Sequence, residues 1–147
     1  MFQKLLQTSN DFSLTFCRLI LGIVFFAHGA QKVLGWFGGF GFSGTVGGFA
    51  KMGMPAGLVY FVMFVEFFGG LSMIFGLLSR LGGLGIAAEM LGAVLTVHIH
   101  VGFFMNWFGM QKGEGFEYHL LAIALAVLII VRGAGALSLD RAISSKT

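Results

Sequence analysis

The chain has 147 residues, 57% of them hydrophobic and only 10% charged. Soluble domains carry about 25% charged residues, so this composition is too poor in charge for a wetted surface and reads as an integral membrane protein. The formal net charge of +3 comes from scattered cations without a basic stripe, which excludes a nucleic-acid partner, and a single cysteine, Cys17, excludes an intrachain disulfide or a Cys-x-x-Cys redox pair.

Taken in order, residues 2–11 form a weakly amphipathic lead-in in which Asn10 or Asp11 caps the first long helix. That helix is expected over about 12–34, long enough for the roughly 20 apolar residues that a membrane crossing takes. It carries Arg18 and Cys17 within its apolar run and lacks a small-x-small site, so it does not read as a cleavable signal peptide. Residues 35–54 are a connector rich in glycine and aromatics, including Trp36, and a short interfacial helix is expected at Ser43–Met52. The second span is expected over about 55–78 from Pro55, the only proline, the third over about 81–105, and the fourth over about 117–131. The fold class is therefore all-α, one transmembrane four-helix bundle occupying residues 1–147.

Four crossings put both termini on one side. Lys4, Arg80, Arg132, Arg141 and Lys146 lie on that side and Lys32, Lys51 and Lys112 on the other, which favours cytoplasmic termini. Within the spans, Gly22 and Gly29 are seven apart, as are Gly69/Gly76 and Gly85/Gly92. Small residues at that spacing let helix backbones approach closely where lipid supplies no hydrophobic drive.

Ionisable groups in a span cost several kcal/mol and turn toward the interior and a partner. Glu66 and Glu89 lie near the middle of the second and third spans and Arg18 about two turns into the first. Two readings stand: Arg18 and a glutamate are mutual counter-ions, or a glutamate relays protons to a redox or transport site. His28, His98, His100, Glu117 and His119 fall with Lys32 in the outer half, near Trp36 and Trp107. They suit a polar rim around a lipophilic headgroup such as a quinone, or a polar interfacial layer. A metal site is not favoured, because His-x-His on a helix sets the rings about 200° apart; a break in the helix near His100 would relax that constraint.

The ordered set Arg18, Leu21-Gly22, Phe25, His28-Gly29, Gln31-Lys32, Gly44-Thr45, Phe49, Met52-Gly53-Met54-Pro55, Glu66 with Gly69-Gly70, Arg80 and Ser138-Leu139-Asp140 resembles the DoxX family of small four-helix membrane proteins. The resemblance runs from about residue 12 to 141, and the family's Gly-Pro-Gly stands here as Gly133-Ala134-Gly135. It implies a multi-pass protein of the bacterial cytoplasmic (inner) membrane, in a family where some relatives are subunits of thiosulfate:quinone oxidoreductase or of membrane-associated oxidoreductase complexes. The fold is also similar to vitamin K epoxide reductase-like bundles, although the missing cysteine pair argues against thiol–disulfide chemistry here.

Three functions are compatible with these features. In a quinone-linked redox subunit, His28, His98 or His100 would hydrogen-bond the ring beside Lys32, Glu117, His119, Trp36 and Trp107, while Glu66, Glu89 and Arg18 would handle protons and charge. The alternatives are a non-enzymatic anchor for an oxidoreductase partner subunit, or a small-molecule or metal transporter acting as a homodimer.

Overall fold

The computed structural model describes residues 2–145; Lys146, counted above on the terminal side, lies outside the described residues with Met1 and Thr147. The described chain is all-helical. A short helix α1 (Phe2–Leu6) precedes α2 (Phe12–Val33). After the connector come α3 (Gly41–Lys51) and α4 (Ala56–Phe75), followed by α5 (Ser79–Thr96), α6 (Glu117–Arg132) and α7 (Leu139–Ser144).

Helix starts follow local chemistry. Asp11 caps α2, its carboxylate accepting from the N–H groups of Ser13 at 2.8 Å and Leu14 at 3.3 Å. Pro55 stands just before α4, where its missing N–H costs no helical bond. α5 starts at Ser79, earlier than the expected residue 81, because a distant carboxylate receives its free amides: Asp140 accepts from Leu78 N–H at 2.7 Å and from Ser79 N–H at 2.9 Å.

By length and composition, α2 and α4 are long and apolar enough to cross a membrane. α5 and α6 are shorter, and the third span expected over 81–105 stops at Thr96. Val97 leaves helical geometry at φ −124° and ψ −61°, and His98–His100 form a single 3-10 turn. The chain there gives up helical hydrogen bonds for ties to the start of α6: Gly102 O accepts from Phe116 N–H at 3.1 Å and Phe103 O from Glu117 N–H at 2.9 Å.

The four longer helices pack around Leu21, Phe25, Met73, Ile86, Ala126 and Ile129, all buried. Phe12, Phe16, Ile20 and Ile23 form an outward stripe on α2 at helical spacing, and α4 likewise exposes Phe61, Phe64 and Phe68. The α2–α4 crossing is set by glycine. A Cβ on Gly22 would stand 2.7 Å from Met73 Cβ, and one on Gly29 would fall on the backbone of Glu66 and Phe67. The other two glycine pairs do not repeat that role: Gly76 ends α4 in a left-handed turn (φ +64°), and Gly92 faces open space.

At the glycine crossing α4 widens into one π-helical turn, Val65–Gly69, which contains Glu66 and contacts both α2 and α5. The bundle thus has two unlike ends. One carries both chain termini, tied where Arg141 donates to Asn10 Oδ1 and Gly135 N–H to Thr8 Oγ1. The other carries α3 and the long loop 101–116.

Candidate functional site

The expected triad of Arg18, Glu66 and Glu89 divides between the two ends. Arg18 is 1% exposed and belongs to the terminal end. Its Nε donates to Ala134 O at 2.8 Å, Nη2 to Leu137 O at 2.7 Å, and Nη1 to Ile74 O at 2.8 Å and to Met73 O. The acceptors are carbonyls left free at the end of α4 and in the segment between α6 and α7. The carboxylate that balances Arg18 electrostatically is Asp140. The expectation that Arg18 and a glutamate are counter-ions is corrected: the guanidinium fork reaches carbonyls on separate segments, and no glutamate is hydrogen-bonded to it among the described residues. Gly76 makes room for this, since a Cβ there would lie 3.0 Å from Arg18 Cζ.

At the loop end the partner of Glu66 is Lys32. The ammonium lies 2.8 Å from Oε1 and 2.6 Å from Oε2, with the two side chains 20% and 9% exposed. The π turn brings Glu66 to the seam between α2 and α5, and Glu89 of α5 lies close enough to interact electrostatically with it and with Lys32. Tyr118 at the start of α6 lies within the electrostatic field of both carboxyl groups. Glu89 is buried, and its Oε2 has no hydrogen-bond partner among the described residues. Lys32 therefore joins two groups that spacing alone kept apart: the mid-span carboxyls and the polar residues of the loop end.

The remaining sequence candidates scatter around this cluster. His119 is buried and packs against His98 with ring centroids 4.0 Å apart and the rings tilted by 41°; His98 Nδ1 lies 2.8 Å from Glu114 O, and His119 Nδ1 is buried without a hydrogen-bond partner among the described residues. The break after Thr96 permits this pairing by turning His98 toward α6. His28 and His100 are exposed and do not join it. Glu117 braces the loop, its Oε1 accepting from Met105 N–H at 2.9 Å and Trp107 Nε1–H at 3.2 Å. Trp36 packs edge-on against Phe26. Among the described residues no three His, Cys, Asp or Glu side chains converge as a metal site.

Sequence reasoning missed the space beside Lys32. A cleft of about 370 Å³ opens between the end of α2 and α3, with Gln31 and Lys32 on one side and Gly44, Thr45, Gly48 and Phe49 on the other. Thr45 fixes α3 there by donating to Lys32 O at 3.1 Å. The i, i+4 spacing of Gly44/Gly48 and Thr45/Phe49 was the available signal for one helix face. Tyr118 carried no comparable signal.

Comparison with known proteins agrees with the sequence pattern. The DoxX family profile matches residues 13–99. CatD of Bacillus subtilis (strain 168), provisionally named an oxidoreductase, is 30% identical over 123 residues, covering 84% of this chain and 81% of CatD. The inner membrane protein YqjF of Escherichia coli (strain K12) is 27% identical over 137 residues, covering 93% of this chain and 96% of YqjF. No solved structure gives a significant match to the chain.

Proposed function

This chain belongs to the DoxX family, and from that premise we propose that it is the membrane subunit of a quinone-linked redox system. It is a four-helix transmembrane bundle of the bacterial inner membrane with cytoplasmic termini. The outward apolar stripes of α2 and α4, the excess of lysine and arginine at the terminal end and the name of the Escherichia coli relative support that placement.

One observation carries the chemistry: Lys32, which lines an open cleft, is paired with the buried carboxyl group of Glu66, and the buried carboxyl group of Glu89 lies in the same electrostatic field. Two carboxylates and one ammonium sum to a charge of −1, so a single proton brings the cluster to neutrality in a medium that penalises net charge. Such a cluster takes up and returns one proton while its helices stay in place. A quinone exchanges protons together with electrons. In this reading the electrons pass to or from a partner subunit, Glu66 and Glu89 hold the proton, and Lys32 keeps the pair oriented. Arg18 serves the fold.

The cleft fits such a group in size and lining, being of the order of small-ligand pockets, ~300–1,000 Å³, with few polar groups among apolar ones. The test is titration of purified protein in lipid nanodiscs with a benzoquinone or naphthoquinone analogue. Thermal stability should rise and tryptophan fluorescence should fall, both less so in Glu66→Gln. An unchanged melt and spectrum at saturating analogue would remove the quinone.

The exposed Trp107, Phe108 and Met110 of the loop end (78%, 83% and 83%) favour a second reading, a non-enzymatic anchor for an oxidoreductase partner. It predicts that single replacement of His98, His119 or Glu89 leaves the complex fully active.

A further inference from the structure

We propose that the cleft between α2 and α3 is the ligand site, and that it takes a flat ring bearing an oxygen acceptor, laid on the glycine face of α3 with that oxygen at Lys32 Nζ. This rests on the quinone-linked reading and assigns it a place, distinct from the histidines to which spacing pointed.

The argument starts from donor arithmetic. An ammonium has three N–H donors. Glu66 occupies one or two of them through contacts of 2.8 and 2.6 Å. At least one donor remains, and Lys32 also lines the cleft. A carbonyl oxygen or a phenolate would accept it; an aliphatic chain would leave it unmet. Gln31 stands beside it, its Nε2 donating to Phe37 O at 3.3 Å, with no hydrogen bond to its side-chain oxygen among the described residues.

The shape of the cleft selects a thin ligand. Gly48 leaves the α3 face bare at the cleft with Phe49 beside it, while Gly44, one turn earlier, packs on Phe40, whose Cβ lies 2.8 Å from the position a Gly44 Cβ would take. A Cβ built on Gly48 meets nothing within 4 Å, so the space over it is genuinely open. Gly47 also has nothing within 4 Å of its Cβ position, but it does not line the cleft. A glycine face beside an aromatic ring gives a planar molecule stacking area without side-chain crowding.

The two glycines supply the experiment. Gly48→Leu fills the cleft and Gly47→Leu adds the same bulk to the same helix one residue away, both into open space. Affinity of the full-length protein for a short-chain benzoquinone and a naphthoquinone, read by tryptophan quenching in nanodiscs, should fall about tenfold or more in Gly48→Leu and stay within about twofold in Gly47→Leu. An azido-benzoquinone should label a peptide within residues 38–52, and Gly48→Leu should abolish that labelling. Wild-type affinity in Gly48→Leu, or saturable labelling around His98 and His119 instead, would overturn the cleft while leaving a quinone-linked function standing. Absence of saturable binding in the parent protein would overturn both. Lys32→Gln, which keeps a donor but not the charge, should weaken a phenolate-bearing analogue more than its methyl ether. Equal loss for the two would reject Lys32 as the oxygen's partner.

Discussion

The two ends of the bundle bury charge in opposite ways. At the terminal end Arg18 spends its donors on four backbone carbonyls, with Asp140 as the compensating carboxylate. At the loop end Lys32 pairs with Glu66, has the second buried carboxyl group of Glu89 within its field, and lines a cleft. Fixed dipoles cannot gain or lose a proton, so the first arrangement holds one state and serves packing. The second sets two carboxyl groups against one ammonium beside an open side, and the proposed proton exchange rests on that unequal count.

The largest expected effect lies at the terminal end. Arg18→Leu strands carbonyls on separate segments and leaves Asp140 without its cation, which should cost about 3–5 kcal/mol and be read as a collapse of the thermal melt in mild detergent. Arg18→Lys should recover little of it, because one ammonium cannot span acceptors spread over residues 73–137. A near-normal melt for Arg18→Leu would erase the distinction between the ends.

Lys32→Met should cost less, about 2 kcal/mol, because the pair keeps partial access to solvent. A double-mutant cycle with Glu66→Gln should return a coupling of about 1–2 kcal/mol; simple additivity would mean that the pair is not formed. Asp140→Asn retains one acceptor oxygen and should cost about 1 kcal/mol. Hydrogen exchange at Leu78 and Ser79, the amides that Asp140 receives, should then accelerate selectively. The smallest effect is expected at His119, whose buried Nδ1 has no partner. His119→Phe should leave stability within about 1 kcal/mol of the parent or raise it, and a large loss would place His119 in the polar cluster.

The helices were legible in the sequence because apolar periodicity survives without partners. α2 was expected over 12–34 and runs Phe12–Val33; α6 was expected over 117–131 and runs Glu117–Arg132. The short helix expected at Ser43–Met52 is α3, Gly41–Lys51. The Gly22/Gly29 stripe also marked a real close approach. Partners were less legible. Backbone carbonyls leave no mark on residue type, so the acceptors of Arg18 at Met73, Ile74, Ala134 and Leu137 could not be read from composition. Lys32 was placed with the histidines by position, and its reach to Glu66 depends on a long flexible stem and on the π turn, which shifts register by one residue. The end of α5 at Thr96 was missed because the residues beyond it are as apolar as those before.

The grip on Arg18 has a consequence for biogenesis. Two of its acceptors, Ala134 and Leu137, lie 116 and 119 residues downstream. When α2 leaves the ribosome, the atoms that will quiet its guanidinium have not yet been translated. The nascent helix must hold that charge in water, or beside a chaperone, until the last part of the chain arrives. Stop codons late in the message would therefore leave α2 with only the Met73 and Ile74 half of its clasp, although every residue of that helix had been made correctly.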